Sequence, residues 1–562
     1  MMPQALRLLP RRHILQGLCL VAICHIISIY TIDSPKPIYH CPLDRDGLSN
    51  LWADENCYWS TSYAEAREKF ISLGNRLKEQ LLLAKDNDNQ NDALDLINVQ
   101  SISYDISNHH DYELLKARDI MSTPELISPG ENTVDAILLT VRVPSEVNNE
   151  NVNIIHSSGT HGIEGYLGSA VQLRFLHELF MQNEKQLNDN NNQHSTSSLS
   201  LATRRILLIH AINPYGMRHH RRTNENNVDL NRNALTDTMW TEIRKRDPNF
   251  VNYVSMDSTL NPFKPIDDNG KVFSWVDAAR EGGFDGDTSK MKLQDEKIKN
   301  TFYEEESNER ELDANNNDLL FNESTSSIIN TWFKEMKDIL KVSQSVIVAV
   351  FKLGYESAKR GLVAAQYHKP SGLSYGGGAH NNNTWENSIF AVQHAINQFA
   401  GFRFDSSSVN DNDRTIWVDV HTGLGGYGKY SVLTKRSSDD NIPSWTSKFN
   451  SLLERKQMGY GKSKDASVNA GYDQTKGFIV DDILCSPPNC HGFAQEFGTR
   501  PGIAVAVSLI VENMGYHNSV VSGRSRGKYS HLTSWAFYPQ RLSWRRETLR
   551  GGMQMIHTVL DF

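Results

Sequence analysis

Hydrophobic and polar positions divide the chain into a series of short elements. Near the start, Arg7, Arg11 and Arg12 precede an apolar run from Ile14 to Tyr30. From about Ser62 to Lys85 the apolar residues Phe70, Leu73, Leu77, Leu81 and Leu82 recur at helical spacing. The polar stretch Asp86–Asp92 predicts a loop. Thr133–Val143 is a β-branched run and predicts a strand. Val152–His156, Arg205–Ala211, Ile416–Val420 and Phe493–Phe497 predict four more. Between the second and third, Leu167–Phe180 carries Leu167, Val171, Phe175 and Leu179 on one helical face. Ile503–Asn513 and Glu547–Leu560 predict helices. Strands alternating with helices indicate an α/β sheet covered on both faces.

Two stretches break the pattern and read as exposed, partly disordered insertions. Asn183–Ser200 is rich in Asn and Ser, and Ser289–Ser327 is charged and polar without periodicity. No internal repeat is present. The expected organisation is a tail and apolar segment over 1–34, a partly helical extension over 35–130, and a catalytic domain over 131–562 carrying both insertions.

The apolar run Ile14–Tyr30 is at the short limit for a membrane-spanning helix. With its basic flank it reads as a secretory signal, and an uncleaved signal anchor is favoured over a cleaved one because no clear small-residue cleavage site follows. A buried N-terminal helix is the alternative. The arginines then stay cytosolic, and the rest of the chain lies in the lumen or outside. Cys41, Cys57, Cys485 and Cys490 fit an oxidising compartment. Their proximity in pairs favours Cys41–Cys57 and Cys485–Cys490, although four cysteines allow three pairings. The sequons at Asn322 and Asn382 are compatible with secretion. The 562 residues carry a net charge of −8, 39% hydrophobic residues and 22% charged ones. That is a globular composition without the basic excess of a nucleic-acid binder.

Chemistry concentrates in four segments. Ser157–Gly165 (SSGTHGIEG) follows a strand and opens a helix. His161 and Glu164 are close enough there to reach one cation from one turn. Zinc accepts nitrogen and oxygen ligands, and catalytic zinc sites use three protein ligands with an open position. The turn should lie beyond the carboxyl end of a strand, where open α/β sheets bind ligands. His421, ending Ile416–Val420 before a glycine-rich turn, is the candidate third ligand, with Asp419 able to support it. By itself His421 reads equally well as an ordinary core histidine.

Asn213–Asn233 is too rich in Asn and Arg for a core segment. Asn231 and Arg232 could grip a substrate carboxylate, which suits the planar fork of an arginine. Arg222 could stabilise an oxyanion, with Arg221 as its competitor. The bland alternative is a surface loop with structural ion pairs. Glu496, in the apolar segment Gly492–Thr499 (GFAQEFGT), needs a polar partner if buried. It could serve as a proton acceptor for a metal-activated water; otherwise it is an outward-facing strand residue. A serine hydrolase is disfavoured: GLSYG over 372–376 and GRSRG over 523–527 match G-x-S-x-G, but neither sits between an apolar strand and a helix, as a nucleophile elbow does. A lumenal binding module without catalysis is the rival from a different class.

Taken together, SGTHGIEG, NPYGMRHHRRTNENNVDLNRN, VDVHTGLG and QEFGT resemble, in that order, the zinc carboxypeptidase superfamily. That group includes carboxypeptidases, aspartoacylase and succinylglutamate desuccinylase. With QYHKPSGLSYGGG over 366–378, the set looks like a carboxypeptidase-like branch of unknown function. The resemblance covers roughly Thr133 to Asn513. It implies a mixed, mostly parallel sheet flanked by helices on both faces. It also implies one zinc per chain on His161, Glu164 and His421, and Glu496 as general base and then acid. Asn231 and Arg232 would bind a substrate carboxylate and Arg222 would face the oxyanion. The implied substrate is a peptide with a free C-terminus or an N-acyl amino acid. Tyr375 and Tyr427 are both candidates for the tyrosine that covers the substrate in digestive carboxypeptidases.

Overall fold

The computed structural model describes residues 55–86, 96–106, 117–118, 132–145, 152–188, 200–262, 325–378, 385–398, 414–434, 444–456, 458, 475–480, 484–485, 489–522 and 529–562. The expected membrane segment, Cys41 and both sequons lie outside these residues. No described helix is long and apolar enough to cross a membrane.

Eight strands form one mixed sheet in the order β2-β1-β3-β5-β4-β6-β8-β7. They are β1 (Leu96–Asp105), β2 (Ala117–Arg118), β3 (Thr133–Ser145), β4 (Val152–Ser158), β5 (Ser200–His210), β6 (Arg414–Tyr427), β7 (Tyr430–Leu433) and β8 (Cys490–Gly498). The middle four, β5-β4-β6-β8, run parallel; β1, β3 and β7 pair antiparallel at the two sides. β4 is buried at every position, as a strand covered on both faces should be.

The main helices are α1 (Tyr63–Asp86), α2 (Gly165–Asn188), α3 (Thr325–Leu353), α4 (Tyr355–Val363), α5 (Asn387–Gln398), α6 (Gly502–Ser522), α7 (Ser530–Phe537) and α8 (Leu542–Leu560). Alternate side chains of the sheet feed two separate cores. Ile154, Ile206, Ile416 and Val418 join α1, α2, α6 and α8 on one face. Ile155, Leu207, Ile209 and Trp417 join α5 and the β1–β3 pair on the other. The stripe read for α1 is real: Phe70, Leu73, Leu77 and Leu81 are buried, while Leu82 points to solvent.

Several boundaries differ from the sequence reading. Residues 183–188, expected in a loop, continue α2, and Asn183 is enclosed. The segment NEKQLN holds good helix formers and neither Gly nor Pro, so its polarity does not end the helix. The second expected insertion ends inside α3, which begins at Thr325; its residues 289–324 lie outside the described set. β1 was not anticipated. The bulge between Leu96 and Asn98 and an irregular burial pattern hide its alternation. The segment before residue 130 is fastened to this sheet. Arg67 Nε donates to Asp135 Oδ2 at 2.8 Å, and Ser103 Oγ donates to Asp135 Oδ1 at 2.6 Å.

Candidate metal site and catalytic pocket

The site sits at the carboxyl ends of the parallel strands, as the topology requires. After β4 the chain makes a tight turn over Gly162–Glu164 and enters α2. The Asn213–Asn233 segment pins that turn: Gly162 and Ile163 donate backbone N–H groups to the carbonyls of Arg222 and Arg221. The fit is close enough that a Cβ on Gly162 would lie 2.0 Å from Gly216 C. β6 does not stop after His421 but runs on to Tyr427 through a bulge. Gly423 supplies φ +120 there, and its missing Cβ leaves room for Phe537.

His161, Glu164 and His421 come together, all three buried, with donor atoms within 4.8 Å of one another. His421 Nδ1 is 3.3 Å from Glu164 Oε2. Two ligands held at about 2.0–2.1 Å in a tetrahedral zinc site stand about 3.3 Å apart. Glu164 Oε2 also accepts from the Thr422 backbone N–H at 2.8 Å. On the far side of the His421 ring, Nε2 lies 2.7 Å from Asp419 Oδ2 in a close ionic contact. A carboxylate there favours the proton on Nε2 and would free the Nδ1 lone pair for a metal ion once one is bound. Two imidazoles and a carboxylate, two of them held by outer carboxylates, fit a divalent metal ion.

Asp419 is itself held by Ser157 Oγ at 2.6 Å and Thr160 Oγ1 at 2.9 Å. His161 has a matching support in Asp229, whose Oδ1 is 3.4 Å from His161 Nδ1. The sequence reading missed Asp229, Ser157 and Thr160. Asp229 stands two residues before Asn231 and caps the Leu230–Arg232 turn, a local signal that could have drawn notice.

Arg222 separates from Arg221. Its guanidinium reaches Glu164 Oε1 at 3.1 Å, His161 Nε2 at 2.7 Å and Asp229 Oδ2 at 3.1 Å. Arg221 turns into the interior, donating to Glu512 Oε1 at 2.7 Å and lying 3.2 Å from the Tyr516 ring centroid. Burial, and then the Arg222 charge, hold the His161 imidazole well below the ordinary histidine range. Burial also opposes a charged His421, but Asp419 and Glu164 outweigh it and raise that group well above the ordinary range.

Glu496 is the register partner of His421 across β6 and β8. Its Oε2 is buried without a hydrogen-bond partner among the described residues. Burial pushes its carboxyl up to about 7, against the pull of His421. His161, Arg222, Asn231, Arg232 and Glu496 all line one cavity of about 360 Å³. Asn231 Oδ1 accepts from Ile479 N at 3.1 Å. Arg232 donates to the carbonyls of Asn231 and Val363 and lies 4.8 Å from the Phe478 ring centroid. Tyr375 is wholly buried in the core, whereas Tyr427 is exposed at the end of β6 near Arg500.

Cys485 and Cys490 form a disulfide with Cα atoms 5.0 Å apart. Cys57 is also disulfide-bonded. Comparison with curated proteins and with solved structures finds no match. One family model matches residues 121–274 and 313–551, which include every residue of the site. With more than half of its length covered, the chain belongs to the family described as Protein of unknown function (DUF2817).

Proposed function

We propose that this protein is a zinc-dependent hydrolase that cleaves an amide bond next to a free carboxylate. The observation that carries the reading is the unpartnered Oε2 of Glu496, held in register beside a buried His-Glu-His group in one cavity with two arginines. One zinc per chain would be held by His161, Glu164 and His421. Zinc bound there supplies a Lewis acid, which polarises a carbonyl and makes water more acidic.

The remaining work falls to side chains. Glu496 Oε2 accepts a proton from the attacking water and returns it to the departing amine nitrogen. Arg232, with Asn231, receives the substrate carboxylate. Arg222, once released from His161 and Glu164, stabilises the developing oxyanion. The first substrate class is a peptide with a free C-terminal residue. The second, an N-acyl amino acid, is favoured by the apolar extent of the cavity. We also propose a lumenal or extracellular setting, entered through the N-terminal apolar segment; the Cys485–Cys490 bridge supports it.

The test is hydrolysis of a peptide and N-acyl amino acid panel by the zinc-loaded protein and by Glu496→Gln. The variant should hold the same zinc and lose about a hundredfold to ten-thousandfold in rate. Full activity in Glu496→Gln removes the assigned role. Stoichiometric zinc without turnover of any substrate favours a binding protein.

A further inference from the structure

Beyond its polar end the cavity continues between helices. Val346 and Val350 of α3, Leu362 of α4, and Val505 and Leu509 of α6 form its walls. Its edge is apolar as well. Tyr355 and Ile503 line the cavity while remaining 45% and 42% exposed, and the Tyr355 side chain reaches the start of α6: its hydroxyl lies 3.3 Å from where a Cβ on Gly502 would be. Phe351, next to Val350, is 52% exposed. Large apolar side chains at an opening are the surface signature of an apolar ligand's entry.

A polypeptide threaded here would bring one amide per residue, each requiring a donor and an acceptor. Helical walls offer few, because their backbone groups are bonded within the helix. Ser374 Oγ, also on the wall, already donates to Leu362 O at 2.6 Å. A hydrocarbon chain needs no partners and gains from each methylene it removes from water.

We propose that the chamber receives a long hydrocarbon chain, and that the substrate is an amino acid joined by an amide to a long-chain fatty acyl group. This rests on the reading of the site as a metal-dependent amide hydrolase. The amino acid carboxylate lies at Arg232 and Asn231, the amide carbonyl faces the His-Glu-His group, and the acyl chain runs between α3, α4 and α6. In the reaction the acyl C–N bond breaks and a C–O bond forms to water. One water proton passes through Glu496 to nitrogen; the second, from the new carboxylic acid, completes the ammonium group. The products are a fatty acid anion and a zwitterionic amino acid, so no further reactant is needed.

The experiment uses the zinc-loaded full chain and N-acyl derivatives of one amino acid with acyl chains from two to eighteen carbons. The rate constant kcat/KM should rise by about fourfold per methylene until the chamber is filled. Leu509→Trp, or Val346→Phe if that variant fails to fold, should move the plateau to shorter chains. Displacement of a fluorescent fatty-acid probe by the same compounds should follow the same order. If short acyl amino acids or peptides are hydrolysed with no gain from chain length, the lipid assignment is overturned and the hydrolase reading stands. If displacement tracks chain length but nothing is cleaved, the chamber assignment stands and the hydrolase reading falls. Neither turnover nor displacement overturns both.

Discussion

Replacing Asp419 with asparagine keeps the shape of a fully buried side chain and changes what it asks of His421. The carboxylate faces Ser157 Oγ at 2.6 Å, Thr160 Oγ1 at 2.9 Å and His421 Nε2 at 2.7 Å. An asparagine can serve the two hydroxyls with its oxygen, but its amide then points N–H groups at Nε2. The imidazole answers by moving its proton to Nδ1, the atom that faces Glu164. A metal must displace that proton and restore an N–H to N–H conflict behind the ring. Loss of such an outer partner typically weakens metal binding 10- to 100-fold, or about 1.4 to 2.7 kcal/mol. The assay is competition for zinc between the metal-free protein and a fluorescent chelator, at fixed pH, for wild type and Asp419→Asn. Thermal melts of both metal-free proteins check that the fold is retained. Affinity within twofold of wild type, with the fold intact, refutes the assignment of His421 Nδ1 as a ligand oriented by Asp419.

Gly162→Ala would place its Cβ 2.0 Å from Gly216 C and 2.3 Å from Met217 N, both backbone atoms that cannot rotate away. Melting should reveal a loss of about 1–3 kcal/mol and zinc binding should weaken with it; an unchanged melt contradicts the packing. Glu496 offers a pH test on metal-free protein. Its carboxyl sits near 7 when folded against an ordinary 4.5, so between those values the folded state keeps a proton that the unfolded chain has released. Its contribution to stability therefore falls as pH rises through that window. The melting temperature of wild type relative to Glu496→Gln should drop from pH 5 to pH 8; a constant difference rejects the raised value.

The sequence by itself determined the parts whose signals are local. Five strands and four long helices were visible because their side chains repeat at the period of the element that buries them. The chemistry of SSGTHGIEG and VDVHTG was visible because glycines beside a histidine and a glutamate have no reason to be in a plain strand or helix. α3 was less legible: its polar start was absorbed into a charged stretch, and its apolar face gains meaning only against α6 and the cavity.

Tertiary structure decided what depends on side chains distant in sequence. Arg221 and Arg222 are neighbours with identical chemistry. One meets Glu512, 291 residues away, and the other meets Glu164 and His161. Nothing in the local pattern distinguishes them, since the choice is made by which buried carboxylate each can reach. Glu496 kept the alternative of an outward-facing strand residue until the pairing of β6 with β8 set it beside His421. Asp229 became a partner of His161 only through the fold. Periodicity records which face is buried, but not which charges share the space behind it. That is fixed by strand order and register, which place His161, Glu164 and His421 within reach of one ion.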